Sequence, residues 1–149
     1  DEKWKYKKEQ PPRLAVIIDD CLGTDLMARR KAGLTNLCIR HRHIGDGLGI
    51  SVFMLVQTYA ALGGVARPIR ENTTHLLLFK INDENQIKKI KEESDLPLPE
   101  EEFNKMCDYA HSKPFNFLLI DFSPKEECKR FRSGFDEYLV QSNPEKLEN

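Results

Sequence analysis

The chain contains four runs of mostly apolar residues, and each run stops at a polar or charged position. The runs cover residues 14–18, 50–56, 75–80 and 115–120. Continuous rather than alternating hydrophobicity is typical of strands that are covered on both faces, as in a parallel α/β sheet. We therefore expect four strands, each buried on both sides.

Helical spacing fills the segments between these strands. Between the first two strands, residues 24–31 and 35–43 predict helices with Thr caps, separated by a break at Gly33. Between the last two, residues 85–93 predict a helix, and another begins at Pro99 with an acidic first turn. Strands that alternate with helices indicate an α/β fold with a mostly parallel sheet.

Length and composition fit one ordinary globular domain. The chain has 149 residues, of which 40% are apolar and 32% are charged. No apolar run approaches the roughly 20 residues that span a bilayer, so we expect no membrane contact and no secretory signal. We expect an exposed lead-in at residues 1–12, one domain at 13–140 and a polar tail at 141–149.

Charge is unevenly distributed along the chain although the net charge is only −1. Residues 26–45 carry five Lys and Arg side chains and no acidic one, whereas residues 83–108 carry nine acidic side chains and four lysines. The net charge excludes a protein that coats nucleic acid by bulk charge. The basic segment suits contact with phosphate, or it is simply a solvated helical face.

Four cysteines and four histidines give no metal-ligand spacing. Without a secretory signal, a disulfide framework is not expected either. We expect reduced cysteines in a cytosolic type of compartment.

Polar side chains that could perform chemistry follow the first two strands. Asp19 and Asp20 come directly after the first apolar run, and ligands of open α/β sheets bind beyond the carboxyl ends of the strands. Two such carboxylates suit nucleotide hydrolysis, in which one binds Mg²⁺ and the other orients or deprotonates the attacking water. Gln57 follows the second run and would hold that water. Taken singly, the acidic pair favours a capped strand end and Gln57 favours a helix or turn cap; their combination is more specific.

The chain resembles a known family over residues 13–138. The resemblance rests on the blocks RLAVIIDDC, NLCIRHRHIGDGLGISVFMLVQT, PIRENTTHLLLFK, YAHSKPFNFLLIDF and FRSGFDEYL. They are similar to the later two-thirds of the genome-packaging ATPases of nucleocytoplasmic large DNA viruses, the poxvirus-like branch of the FtsK/HerA P-loop motor ATPases. The resemblance implies a RecA-like P-loop NTPase core with a mostly parallel sheet, and an ATP hydrolase that uses ATP and Mg²⁺ to translocate DNA.

Roles for individual residues follow from the resemblance. Asp19 matches the Walker B magnesium aspartate, Asp20 the adjacent catalytic carboxylate, and Gln57 the polar sensor at the tip of the next strand. Arg70 and Asn72 match a polar pair before the third strand, which would contact nucleotide or a subunit interface. A surface or helix-end arginine is an equally good interpretation of Arg70.

The resemblance also implies partners. Arg40, Arg42 and His43 match a basic element that faces the neighbouring subunit in such rings, and Arg42 is our first choice for an arginine finger. A finger supplied by a neighbour implies a homo-oligomeric ring. Double-stranded DNA would be held through its phosphates without sequence reading, and capsid or portal components would be further partners. Such a motor works in the host cytoplasm, in the viral factory, or in the virion.

One departure from the family pattern concerns phosphate binding. The sequence contains no G-x-x-x-x-G-K-[ST] motif, and the glycine-dense stretch at residues 45–49 precedes a strand and predicts a turn. In the family the P-loop strand lies between the strands that correspond to residues 51–56 and 75–80. We therefore expect a core that lacks the N-terminal P-loop strand and helix, as a fragment, a split gene product or a truncated copy.

A different class of function remains open. The alternative is a catalytically inactive α/β binding or assembly module, a truncated ATPase copy that contacts capsid or motor subunits. The absence of the P-loop motif favours this alternative, whereas the acidic pair followed by Gln57-Thr58 disfavours it, because a scaffold needs neither. A hydrolase that uses Asp and His without phosphate binding would need a nucleophile motif, which the sequence does not contain.

Overall fold

The computed structural model describes residues 13–22, 24, 33–45, 48–60, 64–96 and 98–140. The predicted lead-in, the polar tail and most of the helix predicted at 24–31 lie outside these residues. The described strands are β1 (Leu14–Asp19), β2 (Ile50–Leu55), β3 (His75–Phe79), β4 (Phe117–Asp121), β5 (Phe131–Ser133) and β6 (Glu137–Leu139). The described helices are α1 (Gly33–Arg40), α2 (Arg67–Arg70), α3 (Glu84–Ser94) and α4 (Glu100–Ala110), with 3-10 helices at His41–His43 and Glu127–Lys129.

The chain divides into two compact units. Unit 1 spans Asp1–Asn72 and unit 2 spans Thr73–Asn149. Both contain helices and strands, so the mixed α/β class is confirmed. Helix α1 begins at Gly33, where the sequence had indicated a break.

Unit 1 is built around a parallel pair of strands. β1 and β2 pair in register from Leu14 opposite Ile50 to Asp19 opposite Leu55. One face of this pair packs on the buried side chains of a cluster formed with α1 and α2, namely Cys21, Leu34, Cys38, Val65 and Ile69. This parallel pair is what the hydrophobic pattern predicted for these two strands.

The other face of the pair is open. Ile17 and Phe53 are opposite each other in the register, and they are 70% and 55% exposed. Exposure alternates along both strands, so the prediction that continuous apolar runs are covered on both faces is wrong for this pair. The reason is that the helices described in unit 1 pack on a single side.

Unit 2 contains an antiparallel sheet in the strand order β3-β4-β5-β6. The predicted mostly parallel sheet is therefore wrong for this half of the chain. Two helices, α3 and α4, lie between β3 and β4 in sequence, whereas a parallel crossover usually contains one. Each helix that packs on the sheet reverses the direction of the chain. After two such helices, α3 and α4, strand β4 therefore runs antiparallel to β3. The β5–β6 hairpin, which turns at Gly134 (φ 67°), had no counterpart in the predicted elements.

The core of unit 2 lies between α4 and the sheet. Phe103 and Ala110 of α4 are fully buried, as are Leu118 and Ile120 of β4, and Phe131 of β5 is 1% exposed. Pro99 is the N-terminal cap residue of α4. The first turn of α4 carries three glutamates, which interact favourably with the positive end of the helix dipole. The helix predicted from Pro99 onward is thus present.

Transmembrane helices were searched for across the described part of the chain. None of the helices there has both the length and the apolarity that a membrane span requires.

Truncating the centre of the unit 2 core should be costly. We expect Phe103→Ala to lower the free energy of unfolding by about 3–5 kcal/mol, because Phe103 is fully buried and its removal leaves a cavity. Phe115→Ala is the matched control: this ring is 97% exposed, and the change should be within about 0.5 kcal/mol. Urea unfolding followed by circular dichroism measures both. Equal effects of the two substitutions would contradict this core.

Candidate functional site

The acidic pair lies at the carboxyl end of the parallel strands. Asp19 is the last residue of β1, and its side chain is exposed. The Asp20 N–H donates to the Leu55 carbonyl oxygen at 3.3 Å, which extends the pairing with β2 one residue beyond β1. Asp20 has φ 45°, so the chain turns here in the left-handed region. Asp tolerates this region better than most residues because its short polar side chain bonds locally.

Gln57 joins the acidic pair from the neighbouring strand. Its Nε2 donates to Asp20 Oδ1 at 3.4 Å, although the two residues are 37 positions apart in sequence. Both side chains are exposed. The register of β1 with β2 produces this contact, because Asp19 is opposite Leu55 and Gln57 follows two residues later. The structure thus brings together two of the residues that the sequence singled out.

A short turn anchors the chain behind the acids. Cys21 is 5% exposed, and its carbonyl oxygen accepts from the backbone N–H and from Oγ1 of Thr24, at 3.3 and 2.6 Å. Cys38 lies in the same buried cluster, and burial raises the pKa of its thiol, with a further contribution from Cys21. A protonated thiol is a poor nucleophile, so Cys38 serves as a packing group beneath the site.

Arg70 lies near the segment that follows Gln57. Its guanidinium sits 5.3 Å from the centre of the Tyr59 ring, and its Nη1 donates to the Val65 carbonyl oxygen. The Val65 N–H in turn donates to the Tyr59 carbonyl oxygen at 3.0 Å. These bonds fix the turn after β2, only two residues beyond Gln57. Tyr59 was not among the residues predicted, because nothing in the sequence spacing distinguishes it from an ordinary core tyrosine.

Asn72 has a local structural role in unit 1. Its Nδ2 donates to the Pro68 carbonyl oxygen at 2.8 Å, and its N–H donates to the Ile69 carbonyl oxygen at 3.1 Å. The side chain therefore caps α2. No contact between Asn72 and the acidic pair is found among the described residues.

The basic element lies at the opposite end of the strand pair. Arg40 ends α1, and Arg42 and His43 belong to the 3-10 helix that follows; all three are exposed. Gly49, directly before β2, packs so closely that a Cβ there would lie 3.6 Å from the Arg42 Cα. The six residues of β2 span about 20 Å. Within unit 1, Arg42 is therefore too far from Asp20 to reach the same small ligand.

The donor set at the acidic pair suits a hydrated Mg²⁺ that also binds phosphate. Mg²⁺ commonly keeps several waters and uses only one or two carboxylates together with substrate oxygens. Asp19 and Asp20 supply two exposed carboxylates at adjacent positions. Within the described ranges, no group of three or more His, Cys, Asp and Glu side chains is placed to hold a metal ion. The residues fit a nucleotide-dependent magnesium site rather than a protein cage.

Comparisons with protein-family models, with curated proteins and with solved structures found no match to this chain. The candidate site therefore rests on its own geometry and on the chemistry of its residues.

The left-handed backbone conformation at Asp20 predicts how substitutions there change the free energy of unfolding. We expect Asp20→Val to lower the free energy of unfolding by about 1–2 kcal/mol, because a β-branched residue is strained at φ 45°. Asp20→Asn should leave it nearly unchanged, since Asn also tolerates this region. Urea unfolding of the two variants checks the difference. If valine and asparagine were equally stable, Asp20 would not be held in this conformation.

Proposed function

We propose that this chain supplies the magnesium-binding and water-positioning residues of a P-loop ATPase that moves double-stranded DNA, as a viral genome-packaging motor does. The observation that carries the proposal is the contact between Asp20 and Gln57 at the carboxyl ends of two parallel strands. Acidic and amide side chains meet there in the place where open α/β sheets bind ligands. In this proposal β1 and β2 are neighbouring strands of a RecA-like parallel sheet.

Each residue of the site has a distinct role in ATP hydrolysis. Asp19 would hold Mg²⁺, through water, and the bound ion neutralises charge on the nucleotide phosphates. Asp20 accepts a proton from the attacking water or orients it, and the Gln57 amide holds the same water from the other side. The hydrogen bond from Gln57 keeps the Asp20 carboxylate directed toward this position. Arg70 of α2 contacts Tyr59, which lies on the segment that would respond to a bound nucleotide.

The proposal needs a phosphate-binding segment from outside these 149 residues, since the sequence contains no P-loop motif. Among the described residues, β2 pairs only with β1, so its second edge is free to accept a further strand. The open apolar face with Ile17 and Phe53 supports the same view, because parallel sheets are normally covered on both faces. A strand–loop–helix segment added at this edge would complete both the sheet and the nucleotide site.

Arg42 would act on the nucleotide of a neighbouring subunit. The distance of about 20 Å along β2 separates it from Asp20 of the same chain. A subunit that presents its basic end to the acidic end of the next makes a head-to-tail contact, and such contacts close into rings. Arg40 and His43 lie on the same exposed segment and would strengthen that interface or contact DNA phosphate.

The charge of the two units supports a DNA contact through unit 1. Residues 1–72 carry twelve Lys and Arg and eight Asp and Glu, a net charge of +4. Residues 73–149 carry eleven basic and sixteen acidic side chains, a net charge of −5. DNA bound through phosphates should therefore lie against unit 1, and the acidic unit 2 is better suited to protein partners such as capsid or portal components.

Manganese, a paramagnetic substitute for Mg²⁺, tests the metal site directly. We expect low-millimolar Mn²⁺ to broaden the amide NMR signals of residues 19–21 and 57–58 before others, because both carboxylates lie there. Asp19→Asn should remove this selective broadening. Asp121→Asn is the matched control, since Asp121 also ends a strand but is not adjacent to another acid in the sequence. Broadening confined to the acidic helices α3 and α4 would contradict the proposed site.

In this proposal, ATP hydrolysis requires this chain together with a segment that carries a P-loop. The 149-residue chain alone should bind Mg·ATP no more tightly than the millimolar range, about −4 kcal/mol, because it lacks the phosphate-binding amides. Joined or mixed with a segment that carries a P-loop, the chain should support DNA-stimulated ATP hydrolysis. In that assembly Asp20→Asn should lower the rate by about 100-fold or more while nucleotide binding persists.

The outcomes of this experiment separate the two classes of function. Asp121→Asn should leave the rate of ATP hydrolysis unchanged. Micromolar Mg·ATP binding by the chain alone, or full activity of Asp20→Asn, would contradict the catalytic proposal. An assembly that forms and binds DNA but never hydrolyses ATP would favour the inactive assembly module instead.

A further inference from the structure

Unit 2 has a second sheet face that its helices do not cover. Leu118 and Phe131 are buried toward α4, so the alternating positions of these strands point to the opposite side. We define the open sheet face by the residues on that side: Leu77, Phe79, Phe117, Leu119, Arg132, Tyr138 and, in the β5–β6 turn, Phe135. Phe117 and Leu119 on β4 are buried, so the surface that a partner could reach is formed by Leu77, Phe79, Phe135 and Tyr138, which are 39–63% exposed, together with Arg132.

A row of three aromatic rings crosses one part of the open sheet face. The ring centres of Phe79 and Phe117 are 5.2 Å apart, and those of Phe117 and Phe135 are 4.9 Å apart. Phe117 is buried between its neighbours, whereas Phe79 is 51% and Phe135 63% exposed. Two large rings are thus held rigidly against a third and still present most of their surface to solvent. Rigid exposed aromatics of this kind are typical anchors of protein interfaces.

Arg132 lies next to this row, and it forms no ion pair in the part of the chain that the structure describes. Its guanidinium stacks 4.6 Å from the centre of the Tyr138 ring, and the residue is half-buried. Its Nε is buried and has no hydrogen-bond partner among the described residues. The acid on the same face, Asp121, instead lies 3.7 Å from His75 and accepts the Ser123 N–H at 2.9 Å.

The guanidinium of Arg132 lacks a hydrogen-bond partner for its buried Nε among the described residues. Burial of Nε removes water from one edge of the guanidinium, and no carboxylate of the described residues replaces that water. An anion brought to the remaining N–H groups therefore gains a charge-assisted hydrogen bond at a low additional desolvation cost. Stacking on the Tyr138 ring orients the Arg132 guanidinium for such a hydrogen bond.

We propose that the open sheet face docks a segment of another protein in which a carboxylate is flanked by apolar side chains. The apolar side chains would pack on Phe79 and Phe135, and the carboxylate would pair with Arg132. Arg132 is opposite Leu119, two residues from Phe117, so its Cα lies about 7 Å along the strand direction from the aromatic row. In an extended partner segment this distance separates side chains two residues apart on one face.

The charge of unit 2 favours a polypeptide over nucleic acid as the partner. Its net charge of −5 repels a phosphate backbone, whereas a single carboxylate needs only the local field of Arg132. The proposal is independent of ATP hydrolysis, because every residue that it uses lies in unit 2 and none belongs to the acidic pair of unit 1.

Selection of random peptides displayed on phage against the full chain tests this proposal. We expect enriched peptides to share an Asp or Glu two positions from an apolar residue, and synthetic versions of them to bind in fluorescence anisotropy. Arg132→Gln should weaken this binding at least about tenfold and remove the preference for the acid, while Arg132→Lys should retain part of it. Phe135→Ser, in an exposed turn, should weaken binding without affecting the preference for the acid.

Lys105→Gln is the matched control, since it removes one positive charge from α4, which lies across the sheet from the open face. It should leave peptide binding unchanged, and thermal unfolding of each variant verifies that it is folded. Failure to select any binding peptide, selected peptides without an acid, or equal losses in Lys105→Gln and Arg132→Gln would overturn the proposal. So would displacement of the peptides by single-stranded oligothymidine, which would identify a nucleic-acid surface instead.

Discussion

The parallel pairing of β1 with β2 is the constraint on which the candidate site depends. The bond from the Asp20 N–H to the Leu55 carbonyl oxygen continues the ladder past the end of β1 and fixes where the chain may turn. Because side chains alternate along a strand, a slip of one residue in this register would carry Asp20 away from Gln57. The apolar cluster beneath the strands, with Cys21 directly after the acids, resists such a slip, since it would expose side chains that are now buried. Packing below the sheet thus determines the chemistry at its edge.

The sequence predicts the elements of this fold better than it predicts their arrangement. The apolar runs locate β1 to β4 within about two residues, and the periodicity of Ile87 and Ile90 locates α3. Strand direction is a different matter, because it depends on how many helices reverse the chain between two strands and on where they pack. The hydrophobic pattern does not specify the number or the packing of these helices. The antiparallel pairing of β3 with β4 was missed for this reason. The β5–β6 hairpin was missed because three-residue strands are too short to show alternation.

The candidate site was predictable in part for a related reason. Asp20 and Gln57 follow apolar runs that turn out to be adjacent parallel strands, and the ends of such strands converge whatever lies between them. Tyr59 and its contact with Arg70 depend on the path of the turn after β2, which the local sequence does not specify. The separation of Arg42 from the acids likewise follows from the packing of Gly49 on the 3-10 helix. A linear spacing of fifteen residues between Arg42 and Gln57 gives no hint that they lie at opposite ends of one strand.

The open faces of the two units differ in their residues: the face in unit 1 exposes apolar side chains, whereas the face in unit 2 also contains an arginine. Their exposure therefore needs two separate explanations. In unit 1 the exposed Ile17 and Phe53 belong to strands that pair only with each other among the described residues, and in the proposed ATPase a further strand with its helix would cover them. In unit 2 the sheet already has four strands, and its exposed rings are braced by stacking beside an unpaired cation. An added strand would not explain the half-buried Arg132, whose Nε has no hydrogen-bond partner among the described residues, because burial of an unpartnered polar group is costly. A partner carboxylate, as proposed for this face, would pair with that guanidinium, whereas a further apolar strand would not.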